Sequence, residues 1–454
     1  MSKKSAPGKS KNVKVNIGSV IDFLHSHLSR ALCNTVYRKE RTIEREREWT
    51  LFNLVKFWTA VILKAPPSLT QALDECRAGK TGLLPMVDTT PVAFFQRCRD
   101  LKPVFFARVY EAFIHSIVPA VPSAFASELA GLRERFSEVW IIDGSRLAKI
   151  AHRLKILRNI KKVVLPGCMI ACYDIFRGIA RIVHVSTDAA KSEHRHAEEI
   201  IADVPKGTLL AGDRLYATIQ FMRKLAIHGL YGVFRRNRLL KVKKVGPTPG
   251  SKKGRNYPKD DLVVIGCGVT QPKMTVRRIK IPGLELFTNV LDPRKLSAEE
   301  ALLLYRVRWQ VERLFYDLKE VLNLNRFYTG SPRSVVMQVY ATALVHAAMR
   351  VAQAQVADAA GLIPETLSPK KLFPRIAVAS IHRIESELVF AWTQQVNAGT
   401  KLIEPNWHEL STAQVRLDSI LVEHRTGKRR KRKFLPSRKR WTSMPKIPGS
   451  RKLS

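Results

Sequence analysis

The central part of this chain is predicted to have an α/β fold, with a β-rich insertion and α-helical regions on both sides. Val139 to Ile142 and Thr208 to Gly212 are short apolar runs that each end before an aspartate, which is typical of buried strands. Val163 to Tyr173 and Ile179 to Ser186 are strand-like runs separated by a glycine-containing turn, which predicts a hairpin. The flanking segments have the apolar periodicity of helices.

The order of these elements restricts the prediction to one kind of α/β fold. The Asp143 strand comes first, the hairpin that turns at Arg177-Gly178 follows, and a helix precedes the strand that ends at Asp213. A second helix is predicted after Asp213, running to about Ala226. Strand, strand, strand, helix, strand, with the Asp143 strand central, is the order of a ribonuclease H-like core.

A polar stripe is predicted on one helix beyond Asp213. At about 100° per residue, its four members fall within roughly 60° of arc, on a line about 20 Å long. They are Tyr305, Arg308, Glu312 and Lys319. The apolar face beside the stripe consists of Leu304, Val307, Val311, Leu314, Phe315, Leu318 and Leu322. This pattern predicts a helix anchored in a core with Glu312 at the edge; the alternative is a surface helix with i,i+4 ion pairs, such as Arg308 with Glu312.

Asp143, Asp213 and Glu312 form a predicted carboxylate trio. Taken singly, each aspartate also fits a helix cap or a turn, because Asp favours both positions. Two strand-end aspartates together with a glutamate on an anchored helix are more specific than any one of the three. The combination predicts a site rather than three separate structural residues.

At these residues the chain resembles the insertion-sequence DDE transposases. The polar stripe matches without a gap the signature Tyr, two residues, Arg, three residues, Glu, six residues, Lys, which marks the IS-four-like group. The segments Asp143-Gly144 and Gly212 to Tyr216 resemble the first and second acidic motifs, and Leu286 to Asp292 also resembles that family. The resemblance covers residues 135 to 330.

The resemblance implies a DNA transposase that binds the terminal inverted repeats of its element, cuts at each end and joins the 3′-hydroxyls to target DNA, as a homodimer on paired ends. Asp143, Asp213 and Glu312 are then catalytic. Two alternatives remain open: a ribonuclease H-like nuclease that hydrolyses without joining, and a non-catalytic DNA-binding protein derived from a transposase.

The trio also predicts the cofactor. Phosphodiester cleavage requires activation of a water or a 3′-hydroxyl, and two divalent cations about 3.5 to 4 Å apart can provide it. Mg²⁺ prefers carboxylate ligands and retained water, so two Mg²⁺ ions are predicted on Asp143, Asp213 and Glu312, with Mn²⁺ as a substitute.

Five residues are predicted to contact DNA. Arg308 and Lys319 lie on the Glu312 face and are placed to bind phosphates, while Tyr305 adds a hydroxyl. Arg214 and Tyr216, in the second acidic motif, complete the set.

The composition predicts a nucleic-acid partner. The chain has 78 Lys and Arg against 38 Asp and Glu, a formal net charge of +40, with 45% hydrophobic residues, which excludes a disordered basic protein. Six scattered cysteines without a signal peptide indicate a reducing compartment, so a cytoplasmic, nucleoid-associated prokaryotic protein is expected. The apolar helix from Ser334 to Ala359 contains Gln338, His346 and Arg350, so it is predicted to be buried in the protein and not in a membrane.

The predicted regions follow composition and pattern. Residues 1–40 are read as a basic flexible arm, and residues 41–130 as a helical module that binds DNA ends or, alternatively, is a scaffold without DNA contact. Residues 135–350 form the catalytic domain, 351–424 a helical region with a possible role in dimerisation, and 425–454 a basic disordered tail with thirteen Lys or Arg and no acid.

A β insertion is predicted between Asp213 and Glu312, over about residues 235–284. Its first part has ten Lys or Arg and no acid from Arg235 to Lys259, and β-rich runs follow at Asp261 to Val269 and Met274 to Ile281. By the resemblance, the insertion would lie over the DNA end beside the active site.

Two smaller clusters have competing interpretations. His194 and His196 could belong to a metal site, but the solvated start of a helix is the favoured prediction. Cys168 and Cys172 are predicted to be buried core residues rather than zinc ligands.

Overall fold

The computed structural model describes residues 12–16, 19–78, 83–146, 168–186, 193–252, 254, 257–266, 272–379, 381 and 412–416. The chain divides into two compact units, Met1–Leu421 and Val422–Ser454, and all described residues belong to the first. The predicted basic tail, residues 425–454, therefore lies outside the described residues.

The N-terminal region is a layer of helices. Its elements are strand β1 (Asn12–Asn16) and helices α1 (Ser19–His27), α2 (Arg30–Glu40), α3 (Leu51–Lys64), α4 (Leu69–Ala78), α5 (Pro91–Asp100) and α6 (Val104–Ile117). Hydroxyl side chains cap two of these helices: the Ser68 hydroxyl accepts the Gln71 N–H, and the Thr90 hydroxyl accepts the Ala93 N–H. The prediction of a flexible arm over residues 1–40 is wrong from Ser19 onward, because α1 and α2 pack into the core through residues such as Cys33.

The middle of the chain forms a sheet with helices between its strands. These elements are β2 (Val139–Arg146), β3 (Cys168–Asp174), β4 (Ile179–Ser186), α7 (Glu193–Ile200), β5 (Leu209–Gly212), α8 (Ile219–Ile227) and β6 (Tyr231–Arg235). Their spatial order is β4-β3-β2-β5-β6, with β2 antiparallel to β3 and parallel to β5. The predicted α/β class and the central position of the Asp143 strand are confirmed. Cys168 and Cys172 are buried, as predicted.

The predicted insertion continues the same sheet. It consists of β7 (Val242–Pro247), β8 (Lys259–Ile265), β9 (Met274–Ile281) and β10 (Leu284–Thr288). Strand β10 pairs with β6, and β9, β8 and β7 follow outward, giving nine strands in all within the described residues. Inside the insertion, the fully buried Arg277 guanidinium forms an ion pair with Asp260 at 2.5 Å and donates to the Leu296 carbonyl.

The signature segment is less regular than predicted. Two helices, α9 (Ala298–Val307) and α10 (Trp309–Tyr316), are separated by a turn at Arg308. A π-helical turn, Asp317–Val321, follows α10. The prediction of one continuous helix is therefore wrong. All seven residues of the predicted apolar face are nevertheless buried, and the i,i+4 ion pair of Arg308 with Glu312 that the alternative predicted is also present.

The last described elements lie against the helical layer. Helix α11 (Pro332–Ala359) is long and apolar enough to cross a membrane by length and composition, but in the described residues it is buried and packs against α3, α6 and β4, as predicted. Residues 369–379 are helical. Strand β11 (Thr412–Arg416) pairs antiparallel with β1 and lies within residues 351–424, the region predicted to be helical.

Candidate active site

Two neighbouring strands bring two aspartates together. Strands β2 and β5 run parallel with Ile141 opposite Ala211. In each of the two segments an aspartate follows two residues after this pair. Asp213 lies just beyond β5, where its Oδ1 accepts the Leu215 N–H at 2.6 Å. The two side chains therefore lie at the same edge of the parallel pair.

Asp143 is not at the end of its strand, as the sequence suggested. Strand β2 continues to Arg146, with Asp143 opposite Ala171 of β3, so the prediction that this strand ends before Asp143 is wrong. The physical reason is that β3 keeps pairing with β2 after β5 has ended at Gly212. One side of β2 thus loses its neighbour at Asp143, and the carboxylate lies where the sheet opens.

Glu312 is linked to Asp143 by the guanidinium group of Arg308. One guanidinium nitrogen lies 3.2 Å from Oδ2 of Asp143, and another lies 2.6 Å from Oε1 of Glu312. The Arg308 side chain is only 14% exposed, so screening by solvent is limited. A single guanidinium holds two of the three predicted acids.

Asp143 is the acid whose protonation is most perturbed. Burial raises the pKa of its carboxyl to about 7, and the charges of Glu193 and Asp213 add to the rise, while Arg308 and the Gly144 N–H oppose it. The pKa of Asp143 is therefore raised mainly because its carboxyl is withdrawn from water.

The remaining signature residues surround the second half of β2. Lys319, in the π-helical turn, donates from Nζ to the Ser145 hydroxyl at 2.5 Å. The Tyr305 ring lies 5.7 Å from the Arg308 guanidinium carbon and is half-buried. The break at Arg308 does not disperse the stripe, since Arg308 and Lys319 both contact β2 and the Tyr305 ring lies beside Arg308.

The two residues of the second acidic motif differ from each other. Arg214 is exposed. Tyr216 is fully buried, and its hydroxyl donates to Oε1 of Glu193 at 2.7 Å. Tyr216 is therefore a structural residue here, and its predicted DNA contact is incompatible with this position.

Glu193 is a fourth carboxylate that sequence reasoning missed. It is the first residue of α7, and a Cβ added at Gly144 would overlap its carboxyl group. A side chain at position 144 would therefore force the Glu193 side chain to move. The sequence around residues 191–196 was interpreted through its histidines, and the adjacent glutamate carried no distinguishing spacing.

A separate group of possible metal ligands lies on β4 and α7. Among the described residues, His184, His196 and Glu199 offer ligand atoms that all lie within 4.8 Å of one another, a condition that the predicted trio does not meet. His196 is 3% exposed, so the prediction that it lies on the solvated start of a helix is wrong. His194 is half-buried, with its Nε2 2.9 Å from the Thr218 hydroxyl.

Residues 167–348 match the family of transposase DDE domains. The match includes Asp213 and Glu312 and begins after Asp143. The placement of Asp143 therefore depends on the strand register and on its ion pair with Arg308. The match is to transposase DDE domains in general and does not identify a group within them, so membership of the IS-four-like group stays a prediction.

Two individual proteins are similar to parts of the chain. The putative transposase y4zB of Sinorhizobium fredii (strain NBRC 101917 / NGR234) is 32% identical over 80 residues, which are 18% of this chain and 22% of that protein, so the match spans about a fifth of the relative's length. A cryo-EM structure of the piggyBac transposase synaptic complex with hairpin DNA aligns with a TM-score of 0.40 and 10% identity, over 87% of this chain and 89% of that chain.

Proposed function

We propose that this chain is a DNA transposase of the IS-four-like group, which binds the terminal inverted repeats of an insertion sequence, cleaves at each end and joins the 3′-hydroxyls to target DNA. The observation that carries the proposal is the sheet opening, where Asp143 and Asp213 lie on parallel neighbours and Arg308 links Asp143 to Glu312. The match to transposase DDE domains supports it. The proposed form is a cytoplasmic, nucleoid-associated homodimer on paired DNA ends.

Asp143, Asp213 and Glu312 are the residues that would hold two Mg²⁺ ions, with Mn²⁺ as a substitute. The donor set fits, because all three ligands are carboxylates, and the side chain of Glu312 is 39% exposed and so accessible from solvent. When bound, such ions activate the attacking oxygen and stabilise negative charge on the phosphate.

The basic residues around the trio orient the DNA backbone. Arg308 and Lys319 carry positive charge to the opening, where they contact Asp143 and Ser145 of β2. In the proposed complex both side chains donate to phosphate oxygens near the scissile bond, where charge-assisted hydrogen bonds are strongest. Tyr305, beside Arg308, adds a hydroxyl, and the exposed Arg214 adds a contact next to Asp213.

Strand transfer separates this function from its closest alternative. A ribonuclease H-like nuclease would use the same acids and release a hydrolysed end, while a non-catalytic DNA-binding protein would bind and leave the duplex intact. The test uses the full-length protein, a labelled duplex carrying the terminal inverted repeat of its own element, a supercoiled target plasmid and Mg²⁺.

The expected products are a nick at the 3′ end of the repeat, followed by labelled plasmid joined through that 3′-hydroxyl. Nicked duplex without joining would establish the nuclease alternative. Retained binding with no nick at any divalent cation concentration would establish the non-catalytic one.

A further inference from the structure

The group formed by His184, His196 and Glu199 lies outside the proposed catalytic machinery. His184 belongs to β4, and the other two belong to α7. Residues 187–192, which connect the two elements, are outside the described residues. The three potential ligand atoms lie within 4.8 Å of one another although they come from two different elements.

His196 is unusual because its imidazole ring is buried while one ring nitrogen lacks a described partner. Its side chain is 3% exposed, and its Nε2 is buried with no hydrogen-bond partner among the residues that the structure describes. Its Nδ1 lies 3.4 Å from Oε2 of Glu199, which is longer than a good hydrogen bond. A buried imidazole without a partner for one nitrogen is costly, and few such groups occur in native structures without a water or an ion.

His194, two residues earlier on the same helix, provides the contrast. Its Nε2 lies 2.9 Å from the Thr218 hydroxyl, and its Nδ1 lies 3.3 Å from Oε1 of Glu198. The Nδ1 atoms of the two histidines thus have similar carboxylate neighbours, and the contrast lies at Nε2, which has a hydroxyl partner in His194 only. Because the two histidines lie on the same helix, the high net charge of the chain does not explain why their Nε2 atoms differ in hydrogen bonding.

The distances in the group suit a small metal ion. Tetrahedral zinc, with bonds of about 2.0 to 2.1 Å, separates two of its ligand atoms by about 3.3 Å. The 3.4 Å between Nδ1 of His196 and Oε2 of Glu199 is close to this value. The Glu199 side chain is 47% exposed, so its carboxylate can turn toward an ion bound by either ring nitrogen and leaves a path from solvent. The His184 and His196 rings are 5.3 Å apart between centroids, close enough for one ion to contact both.

We propose that His184, His196 and Glu199 bind a zinc ion, with water in the fourth position. Two imidazoles and one carboxylate select a borderline transition metal, whereas Mg²⁺ prefers an all-oxygen set such as the trio. The chain would then carry two kinds of metal site with different preferences.

The zinc site joins the edge strand of the sheet to a helix that reaches the proposed active site. Helix α7 begins at Glu193, whose carboxyl lies against Gly144 and accepts the Tyr216 hydroxyl. An ion that fixes α7 to β4 therefore fixes Glu193 beside Asp143. Its role is structural, and it takes no part in bond cleavage.

The test uses the full-length protein, freed of metal by chelation and dialysis. Zinc affinity is measured by calorimetry in the presence of millimolar Mg²⁺, and the coordination is followed by the visible absorption of Co²⁺ in place of zinc. His184→Ala, His196→Ala and Glu199→Gln are compared with two controls, His194→Ala and Asp143→Asn. Far-UV circular dichroism establishes that each variant is folded.

One equivalent of zinc is expected to bind to the wild type, and Co²⁺ should give the intense absorption of a tetrahedral site. The three ligand variants should each weaken zinc binding by about 100-fold or more, since even outer partners of a metal ligand are worth 10- to 100-fold. Both controls should retain it. Because His196 is buried, Glu199→Gln, on an exposed side chain, keeps the test decisive if His196→Ala does not fold. Zinc binding that is unchanged in Glu199→Gln and His184→Ala, or lost in His194→Ala, would overturn the proposal.

Discussion

The nine-stranded sheet has a core half, which contains the strands from β2 to β6, and an insertion half, which starts at residue 235 and contains the strands from β7 to β10. The two halves differ in how their charged residues are buried and paired. In the core half, Asp143 is largely buried, and both it and Glu312 are held by one guanidinium, that of Arg308. In the insertion half, the basic residues from 235 to 259 are mostly exposed. The exposed ones are Arg235, Arg238, Lys241, Lys243, Lys244, Lys252 and Lys259.

Because of this difference, the residues that control the cleavage rate should be distinct from those that control DNA affinity. A buried charge with a fixed partner has one geometry, and removing it affects the step that needs that geometry. An exposed charge acts on a polyanion mainly through counterion release, which is distributed over many residues. Substitutions in the core half should therefore change rates, and those on the insertion surface should change affinity.

The largest effect is expected from the trio. Asp143→Asn, Asp213→Asn and Glu312→Gln should each lower cleavage by about a thousandfold or more while DNA binding is retained, because each removes a carboxylate ligand without adding bulk. The measurement is cleavage of an end-bearing duplex in Mg²⁺ beside a gel-shift titration. Glu320→Gln, an exposed glutamate in the π-helical turn, is the matched control and should cut normally. Near wild-type cutting by any of the three variants would remove that residue from the trio.

The next effect concerns the two cations at the opening. Lys319→Ala and Arg308→Ala should reduce the single-turnover rate by about 10- to 100-fold, and overall affinity by less, because they position a phosphate that other residues already attract. Single-turnover cleavage at saturating protein measures this. Arg306→Ala, 73% exposed on the same segment, is the control. Full recovery of the rate at saturation would make both residues ordinary binding residues.

An exception inside the insertion half sharpens the comparison. Arg277 is fully buried with Asp260, so it should behave like a core residue despite its basic surroundings. Arg277→Met should lower the free energy of unfolding by about 3 to 5 kcal/mol, since it leaves Asp260 buried without its partner. Urea unfolding measures the loss. The double variant Arg277→Met/Asp260→Leu should recover most of it, and a double variant as unstable as the single one would contradict this account.

The smallest effect is expected from the exposed basic surface. Arg235 and Arg238 line a groove with Lys280, beside β10. Arg235→Ala/Arg238→Ala should reduce the slope of log affinity against log salt by up to about 2 units and leave the saturated cleavage rate unchanged. The control is Arg294→Ala, whose side chain is 92% exposed and pairs with Asp292. An unchanged slope for the double variant would place the DNA elsewhere.

Features set by local pattern were predictable from the sequence. Asp213 follows a short apolar strand, and the apolar face around Glu312 has helical spacing, so both could be located without tertiary information. The central position of β2 followed from the order of elements. The basic insertion was detectable because charge and β-rich runs interrupt the distance between two acids.

Features set by packing were not predictable. His196 is flanked by charged residues and looks solvated, but β4 covers it, and nothing near residue 196 encodes that strand. The π-helical turn begins at Asp317, which lies 3.7 Å from His346 of α11, a contact invisible to periodicity. The pairing of β1 with β11 joins segments from opposite ends of the described chain.

The direct continuation of the core sheet into the insertion also sets a length scale for DNA. From β5, beside Asp213, to the outermost strand β7 there are five strand spacings, with β6, β10, β9 and β8 between them. At about 4.8 Å each this is roughly 24 Å, the rise of about seven base pairs of B-DNA. A duplex lying across the strands would be shielded over at least that distance inward from the cut. A nuclease footprint much shorter than about seven base pairs on this side of the cut would show that the duplex does not lie across the insertion strands.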